Sequence, residues 1–136
     1  LEIASNAGVR CPKPFAWREN VLVMEFIGED GVPAPRLIDV EIPEVEEMYA
    51  EVMENLKKLV NAGLVHGDLS PYNILYYEGP IFIDFSQSIP LSHPFAKELL
   101  LRDIKVLVTF FKKKGVKVEE PQKIYEDLLR NLEERG

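Results

Sequence analysis

The sequence is poor in the features that define several protein classes. Its 136 residues include a single cysteine, Cys11, so an internal disulfide is excluded, and we expect this thiol to fill space rather than act as a nucleophile. No apolar run reaches the roughly 18 residues of a membrane span, and the first residues do not form a signal peptide. These absences predict a cytoplasmic protein without a membrane partner.

Basic residues are scarce relative to acidic ones. The chain has 16 lysines and arginines against 23 aspartates and glutamates, and its formal net charge is -7. A surface that binds a phosphate backbone needs a basic patch, so we do not expect this segment to bind nucleic acid directly. Four lysines within residues 112–117 are the local exception, and they suit either the negative end of a helix or a limited contact with RNA.

Apolar residues make up 46% of the chain, which is enough to form the core of one domain. In three segments they recur at steps of three and four residues, which predicts amphipathic helices at 43–61, 95–114 and 121–132. Pro43 suits the first turn of the longest helix. Residues 1–6 are typical of the end of a helix, which suggests that the chain is part of a longer protein.

Shorter apolar runs between turn residues predict strands. Residues 15–18 and 21–26 form one candidate pair joined at 19–20, and residues 74–77 and 81–85 form another. The glycines and prolines within 28–35 predict a loop. The pattern as a whole is mostly helical with small antiparallel strand pairs, so the predicted fold class is α+β.

Polar residues with a possible chemical role follow the long predicted helix. Asp68 lies in the triplet His66-Gly67-Asp68, and Asn73 follows it at the separation found between the base and the metal ligand of a protein-kinase catalytic loop. Asp84 follows the apolar run 81–83. Phosphoryl transfer to a hydroxyl needs a carboxylate that orients the acceptor and oxygen ligands for Mg²⁺. Asp68 suits the first role, whereas Asn73 and Asp84 suit the second.

A structural interpretation of the same residues is that aspartate, asparagine and Ser70-Pro71 only shape a turn. The combination of the triplet, the asparagine, a hairpin and an aspartate after an apolar strand favours the catalytic interpretation. We expect His66 to brace the loop through a backbone or carboxylate hydrogen bond rather than to carry a proton. His93 has no predicted partner.

A nucleotide site is predicted where the strand 21–26 ends. In a kinase fold this position links the two lobes, and adenine lies against exposed backbone there. Met24, Glu25 and Ile27 are therefore candidate cofactor-binding residues, with the Glu25 carbonyl and the Ile27 amide as the pairing groups. The alternative is an ordinary edge strand.

These residues together resemble the RIO family of atypical serine/threonine protein kinases, in its first and most widely distributed branch. The resemblance is carried by residues 7–14, 23–28, 33–37, 64–75, 83–88, 93–96, 101–104 and 110–111. It implies a protein-kinase-like C-terminal lobe, with residues 1–27 as the end of the N-terminal lobe and the hinge and residues 28–136 as the C-terminal lobe. Aminoglycoside-type phosphotransferases share the loop pattern, but Ser86-Gln87-Ser88 followed by His93-Pro94 distinguishes the RIO family from them.

The resemblance further implies an enzyme that uses ATP and Mg²⁺, with Mn²⁺ as an alternative ion. By analogy Asp68 is the catalytic base, Asn73 and Asp84 hold the metal, and Asp84 also accepts phosphate as an aspartyl intermediate in an ATPase cycle. The family acts in maturation of the small ribosomal subunit, which makes pre-ribosomal particles an expected partner beside ATP.

The sequence departs from the family pattern before the catalytic loop, where it has neither a glycine-rich loop nor a strand lysine. Because these groups position and neutralise the phosphates, we expect these 136 residues alone to be inactive or nearly so. Two other functions stay open at this point. One is small-molecule phosphotransfer, and the other is a non-catalytic binding module in ribosome assembly.

Overall fold

The computed structural model describes residues 1–18 and 21–135 and has the expected α+β composition. Four α-helices occur in the described chain: α1 Glu2–Asn6, α2 Val45–Asn61, α3 Ala96–Lys113 and α4 Pro121–Arg135. The strands are β1 Pro14–Arg18, β2 Val21–Met24, β3 Gly28–Glu29, β4 Val32–Pro33, β5 Leu64–Val65, β6 Ile74–Tyr76, β7 Pro80–Phe82 and β8 Ile89–Pro90. They form four antiparallel pairs, namely β1 with β2, β3 with β4, β5 with β8, and β6 with β7.

The helix α2 confirms the strongest periodicity of the sequence, but it begins later than predicted. Pro43 lies before the helix, not in its first turn, because Glu44 still has a non-helical backbone. The carbonyl of Glu44 accepts the first helical hydrogen bond from Met48 at 3.0 Å. The helix ends at Asn61 with Ala62 as its C-cap, and Gly63 follows with a positive φ of 83° that a residue with a side chain rarely adopts.

The other two predicted helices are also present, with small differences at their ends. Helix α3 spans Ala96–Lys113 instead of 95–114, and α4 continues to Arg135, beyond the predicted end at residue 132. The apolar faces of α2 and α3 supply half of the buried core residues, among them Leu56, Ile104 and Phe111. Each such buried side chain contributes about 1.5–3 kcal/mol. None of the described helices is long and apolar enough to cross a membrane.

Several strand predictions were wrong in extent. Strand β2 ends at Met24, and the second pair is confined to Ile74–Tyr76 and Pro80–Phe82. Residues 28–35 are not simply a loop, because β3 and β4 form a short hairpin there. Its turn is Asp30-Gly31, both with positive φ, which matches the twist of a two-residue hairpin. The connection predicted at 19–20 lies outside the described residues.

The pair of β5 with β8 was not predicted, because two-residue strands carry no periodic signal. Leu64 lies opposite Pro90, and Val65 lies opposite Ile89. The pairing brings together the two ends of the segment that contains the polar loop and the β6–β7 hairpin. The candidate catalytic residues Asp68, Asn73 and Asp84 therefore lie in a segment whose two ends are held together by this strand pair.

Candidate active site

A buried aspartate of α3 holds the loop that carries Asp68. The carboxylate of Asp103 accepts a hydrogen bond from Gly67 N–H at 2.9 Å and another from Leu69 N–H at 3.0 Å. Asp103 is only 1% exposed. These two bonds fix the backbone on both sides of Asp68, so the position of its side chain depends on a helix that begins 28 residues later in the chain.

Sequence reasoning missed this role of Asp103. Burial raises the pKa of its carboxyl group, while the N–H groups of Gly67 and Leu69 act in the opposite direction. The available signal was its place among Leu100, Ile104 and Leu107 on the apolar face of the helix. An ionisable group on such a face must find partners or remain unpaired in the core.

His66 is fully buried and braces the same loop, as expected. Its Nδ1 accepts a hydrogen bond from Asp68 N–H at 3.2 Å, so Nε2 carries the hydrogen and donates it to Ile83 O at 2.7 Å. The imidazole ring also lies 4.9 Å from the ring of Phe85. His66 thereby connects the loop of Asp68 with the segment that leads to Asp84.

Asn73 connects Asp68 with the segment before Asp84. Its Nδ2 donates to Asp68 O at 2.7 Å and to Asp68 Oδ2 at 3.2 Å. Its backbone carbonyl accepts a hydrogen bond from Ile83 N–H at 3.0 Å. Because both side-chain bonds use Nδ2, the amide oxygen of Asn73 is the atom that remains for a cation.

Asp84 lies two residues beyond the end of β7 rather than at the strand terminus. Its backbone is left-handed, with φ of 57° and ψ of 71°, and it precedes a short 3₁₀ helix at Phe85–Gln87. Ser86 Oγ donates to Asp84 Oδ1 at 2.7 Å. The turn thus directs the chain away from the strand at Asp84, and one of its two carboxylate oxygens has a partner within the chain.

Asp68 also lies near a positive charge. Arg102 of α3 places its Nη2 at 3.9 Å from Asp68 Oδ1, and both side chains are about half exposed or more. An ion pair of this kind contributes little to stability because water screens it. The Asp68 carboxylate is therefore held by Asn73 while it remains accessible from solvent.

Two of the three predicted nucleotide residues, Glu25 and Ile27, line a cavity of about 650 Å³. Its lining includes Phe26 beside these two residues, and also Leu75, Ile83 and Asp84. Met24 ends β2 and pairs with Pro14, and it is not among the residues that line the cavity. The volume falls within the range of small-molecule sites.

The backbone of this segment leaves the expected groups available. Glu25 N–H donates to Lys13 O at 2.7 Å, and Ile27 O accepts from Ala34 N–H at 2.9 Å. The hydrogen bonds recorded for the described residues do not use Glu25 C=O or Ile27 N–H. These are the two groups predicted from the sequence to pair with adenine, and Phe26 between them is 57% exposed.

The donor set fits a magnesium nucleotide better than a metal held by protein alone. Within residues 1–18 and 21–135 there is no cluster of three or more His, Cys, Asp or Glu side chains that could hold an ion. Asp84, which lines the cavity, and the amide oxygen of Asn73 would supply two oxygen ligands. Mg²⁺ commonly takes one or two protein oxygens and completes its coordination with phosphate and water.

The contacts of Cys11 and His93 indicate a structural role for each. Cys11 is buried, and burial raises the pKa of its thiol to about 11, so it is a poor nucleophile at neutral pH, as expected. His93, for which no partner was predicted, accepts a hydrogen bond from Phe95 N–H at 3.1 Å just before α3.

Comparison with known proteins agrees with this geometry. A family model described as the RIO domain matches residues 1–124. A relative from Methanocaldococcus jannaschii named RIO-type serine/threonine-protein kinase Rio1 is 48% identical over 110 residues, which cover 79% of this chain and 38% of the relative. The relative of the same name from Thermoplasma acidophilum is 42% identical over 126 residues, which cover 93% of this chain and 66% of the relative.

Solved structures give the same result. The crystal structure of the Rio2 kinase from Chaetomium thermophilum matches with a TM-score of 0.77 and 27% identity, over 93% of this chain and 41% of that one. A second structure of that kinase, described as an ADP/Mg²⁺-phosphoaspartate complex, matches with a TM-score of 0.75 and 26% identity, over 93% and 40%.

The chain spans 38% to 66% of the length of the two archaeal relatives. The family model nevertheless covers most of this chain, and the kinase-like fold is shared with the solved structures. The chain belongs to the RIO family, and its relatives identify it as Rio1-like.

Proposed function

We propose that this chain is the catalytic-lobe part of an ATP- and Mg²⁺-dependent serine/threonine kinase or ATPase of the RIO type. The observation that carries the proposal is the position of Asn73, whose side chain holds Asp68 and whose backbone holds the residue before Asp84. This bridge links Asp68 to the strand end that leads to Asp84, and Asp84 lines the cavity.

In this proposal Asp68 orients the acceptor hydroxyl and accepts its proton. The loop bonds from Asp103 and the bond from His66 Nδ1 fix the Asp68 backbone, which limits the directions that its carboxylate can take. Preorganisation of this kind is a large part of catalysis in phosphoryl transfer, because there is little covalent chemistry for the protein to perform.

Asn73 and Asp84 would hold Mg²⁺ through the amide oxygen and a carboxylate oxygen. A bound Mg²⁺ neutralises the charge of the nucleotide phosphates. Glu25 C=O and Ile27 N–H would pair with the adenine edge, next to Met24 at the end of β2. The apolar lining contributed by Phe26 and Leu75 suits the faces of a purine ring.

Asp84 has a second role in the proposal. One carboxylate oxygen would attack the terminal phosphorus of ATP, forming a new P–O bond while the bond to the ADP oxygen breaks and ADP leaves. Water would then release phosphate from the aspartyl group. The likeness to the Rio2 structure described as a phosphoaspartate complex supports this role. Contact with pre-ribosomal small-subunit particles and a cytoplasmic location rest on the resemblance and on sequence alone, and stay predictions.

The test uses the full-length protein, ATP labelled in its terminal phosphate, and Mg²⁺. We expect ADP formation and protein labelling that fall by about 100-fold or more in Asp68→Asn and Asp84→Asn, as is typical when a positioned acid or base is removed. Asp39→Asn is the matched control, because Asp39 is exposed and pairs only with Arg36 among the described residues. Unchanged turnover in Asp68→Asn and Asp84→Asn would refute the proposed site.

A further inference from the structure

One face of α3 carries a row of basic side chains. Arg102, Lys105, Lys112 and Lys113 are all exposed, and with 3.6 residues per turn they fall within an arc of about 100°. Thr109, also exposed, lies between them on the same face. We call these four basic residues the basic ridge.

The ridge stands out because charge is strongly segregated along the chain. Residues 102–118 include six lysines and arginines but one acidic residue, and that residue, Asp103, is buried with both oxygens accepting hydrogen bonds. This segment therefore has a net charge of +5, so the remainder of a chain of net charge -7 carries -12. The net negative charge of the whole chain therefore does not reveal the positive potential around residues 102–118.

The ridge begins at the candidate catalytic base. Arg102 Nη2 lies 3.9 Å from Asp68 Oδ1, and the guanidinium is largely exposed. A pair this exposed exchanges its partner at little cost in free energy. An anionic group delivered next to Asp68 can therefore bind Arg102 without breaking a strong contact.

The length of the ridge limits what it can bind. Arg102 and Lys113 are separated by about 16 Å along the helix axis, which about five residues of an extended peptide would span. Glu98 lies one turn before Arg102 on the same face, so the positive row ends there. The ridge thus extends from Asp68 in one direction only, toward the end of α3.

We propose that the basic ridge binds acidic side chains of the protein substrate, at positions within about five residues of the hydroxyl that reaches Asp68. This inference rests on the proposed function, because it assigns the substrate class of the same site. Arg102 would bind the acidic residue nearest the hydroxyl, and Lys105, Lys112 and Lys113 would bind those farther away.

Charge favours an acidic peptide over RNA as the occupant. A nucleic-acid strand continues as a polyanion beyond the ridge, where the remainder of the chain would repel it. A short acidic stretch ends within the ridge. The ridge also leads directly to Asp68, so the segment that supplies the hydroxyl must pass beside Arg102.

The first experiment measures binding, independently of turnover. Fluorescently labelled serine peptides carry aspartates on either side of the serine, and matched peptides carry lysine or asparagine at the same positions. We expect the full-length protein to bind the acidic peptide at least about tenfold more tightly than the asparagine peptide at low salt. The difference should decrease as salt screens the charges.

The second experiment changes the ridge without touching Asp68 or Arg102. The triple variant Lys105→Gln/Lys112→Gln/Lys113→Gln should raise the KM for the acidic peptide about tenfold and leave the kcat and the KM for ATP unchanged. The control Lys57→Gln/Lys58→Gln/Lys123→Gln removes the same charge from α2 and α4 and should change none of these values. The reversal Lys105→Glu/Lys112→Glu should shift the preference toward the lysine peptide.

The results of the two experiments support or contradict the binding of acidic peptides to the basic ridge. Equal binding of acidic and asparagine peptides, or an equal effect of the control triple, would overturn it. Loss of affinity for a short RNA with unchanged peptide selectivity in the ridge variant would assign the ridge to RNA instead. If no ADP forms even in the wild type, the proposed function fails, while the binding data still decide what the ridge recognises.

Discussion

At the scale of single residues, the position of Asp68 is determined by groups that do no chemistry themselves. Gly67 and Leu69 donate to Asp103, and Asp68 N–H donates to His66, so three consecutive amides of the loop are bonded to buried side chains. Such bonds are worth more than exposed ones because a buried partner left alone cannot turn to water. Asp103 is therefore expected to act as a positioning residue.

The substitution Asp103→Asn tests this role. The amide keeps one acceptor oxygen but turns an NH₂ group toward a backbone N–H, so one of the two loop bonds is lost. We expect the free energy of unfolding to fall by about 1–3 kcal/mol. The kcat should fall by about tenfold or more, with little change in the KM for ATP, because the cavity does not include Asp103. Asp127→Asn in α4 is the control, and an equal loss of kcat there would contradict the role.

The same residue predicts a pH dependence. Burial raises the pKa of the Asp103 carboxyl above its ordinary value of 3.8, so the folded state holds this proton more tightly than the unfolded state does. The contribution of the group to stability is then largest below 3.8 and is lost as the pH rises through the raised pKa. Urea unfolding at several pH values should show wild type gaining stability relative to Asp103→Asn on acidification. A constant difference, or one of opposite sign, would contradict the prediction.

Gly67 is constrained by space as well as by backbone conformation. Its φ is 89°, and a Cβ added there would lie 2.7 Å from the carbonyl oxygen of Gln87. We expect Gly67→Ala to lower the melting temperature and to reduce kcat, because the loop must move away from Gln87 and take Asp68 with it. Gly115→Ala is the control, since it also has positive φ but meets nothing within 4 Å. Equal effects of the two changes would show that backbone conformation alone matters.

The residues of the site differed in how far the sequence could predict them. Asp68, Asn73 and Asp84 could be named as candidates because they occur within one short segment whose spacing reflects a local hairpin. Asp103 belongs to the same site but lies on a distant helix, and no local pattern links it to the loop. Only the fold brings a residue from α3 to Gly67 and Leu69.

At the scale of elements, the long helices could be predicted from the sequence, whereas the shortest strands could not. The helices α2, α3 and α4 have several turns, so their apolar residues repeat often enough to define a period. The pairs β3–β4 and β5–β8 have two residues in each strand, which is too short for any period. Their positions depend on turn geometry and on the tertiary structure, although the Asp30-Gly31 turn was a usable local signal.

The segment after α1 is tied to α2 and to the β6–β7 hairpin. Arg10 N–H donates to Asn55 Oδ1 at 2.7 Å, and Asn55 Nδ2 donates to Arg10 O at 3.1 Å. The guanidinium of Arg10 donates to the carbonyls of Tyr77 and Glu78 at the hairpin turn. Arg10 therefore links α2 and the β6–β7 hairpin, and its partner Asn55 is buried.

The substitution Asn55→Ala should therefore destabilise the fold more than a typical change on a helix surface. It removes both bonds to Arg10 and leaves the Arg10 amide without its acceptor, which predicts a loss of about 1–3 kcal/mol in urea unfolding. Glu54→Ala, at the neighbouring exposed position of α2, should change stability by less than about 0.5 kcal/mol. A similar small effect of Asn55→Ala would mean that the contact with Arg10 carries little energy.

At the scale of the whole molecule, the candidate site is a meeting point of distant segments. The cavity takes Glu25 and Ile27 from the chain after β2 and Asp84 from the chain after β7, and Asn73 bonds to Ile83, the residue before Asp84. If these groups bind a magnesium nucleotide, binding must stabilise the folded state by an amount that depends on ligand concentration. At 100 times the dissociation constant this linkage is worth about 2.7 kcal/mol.

The effect of ligands on the melting temperature can test the adenine-binding groups and the Mg²⁺ ligands of the proposed site separately. In the full-length protein, ATP alone should raise the melting temperature, and Mg²⁺ should raise it further. In Asp84→Asn the increment from ATP alone should remain, because the hinge groups are intact, whereas the increment from Mg²⁺ should be largely lost with the carboxylate ligand. Thermal unfolding with ATP, with Mg²⁺ and with both measures each term without any need for turnover. An undiminished Mg²⁺ increment in Asp84→Asn would place the metal on other oxygens and would remove Asp84 from the ligand set.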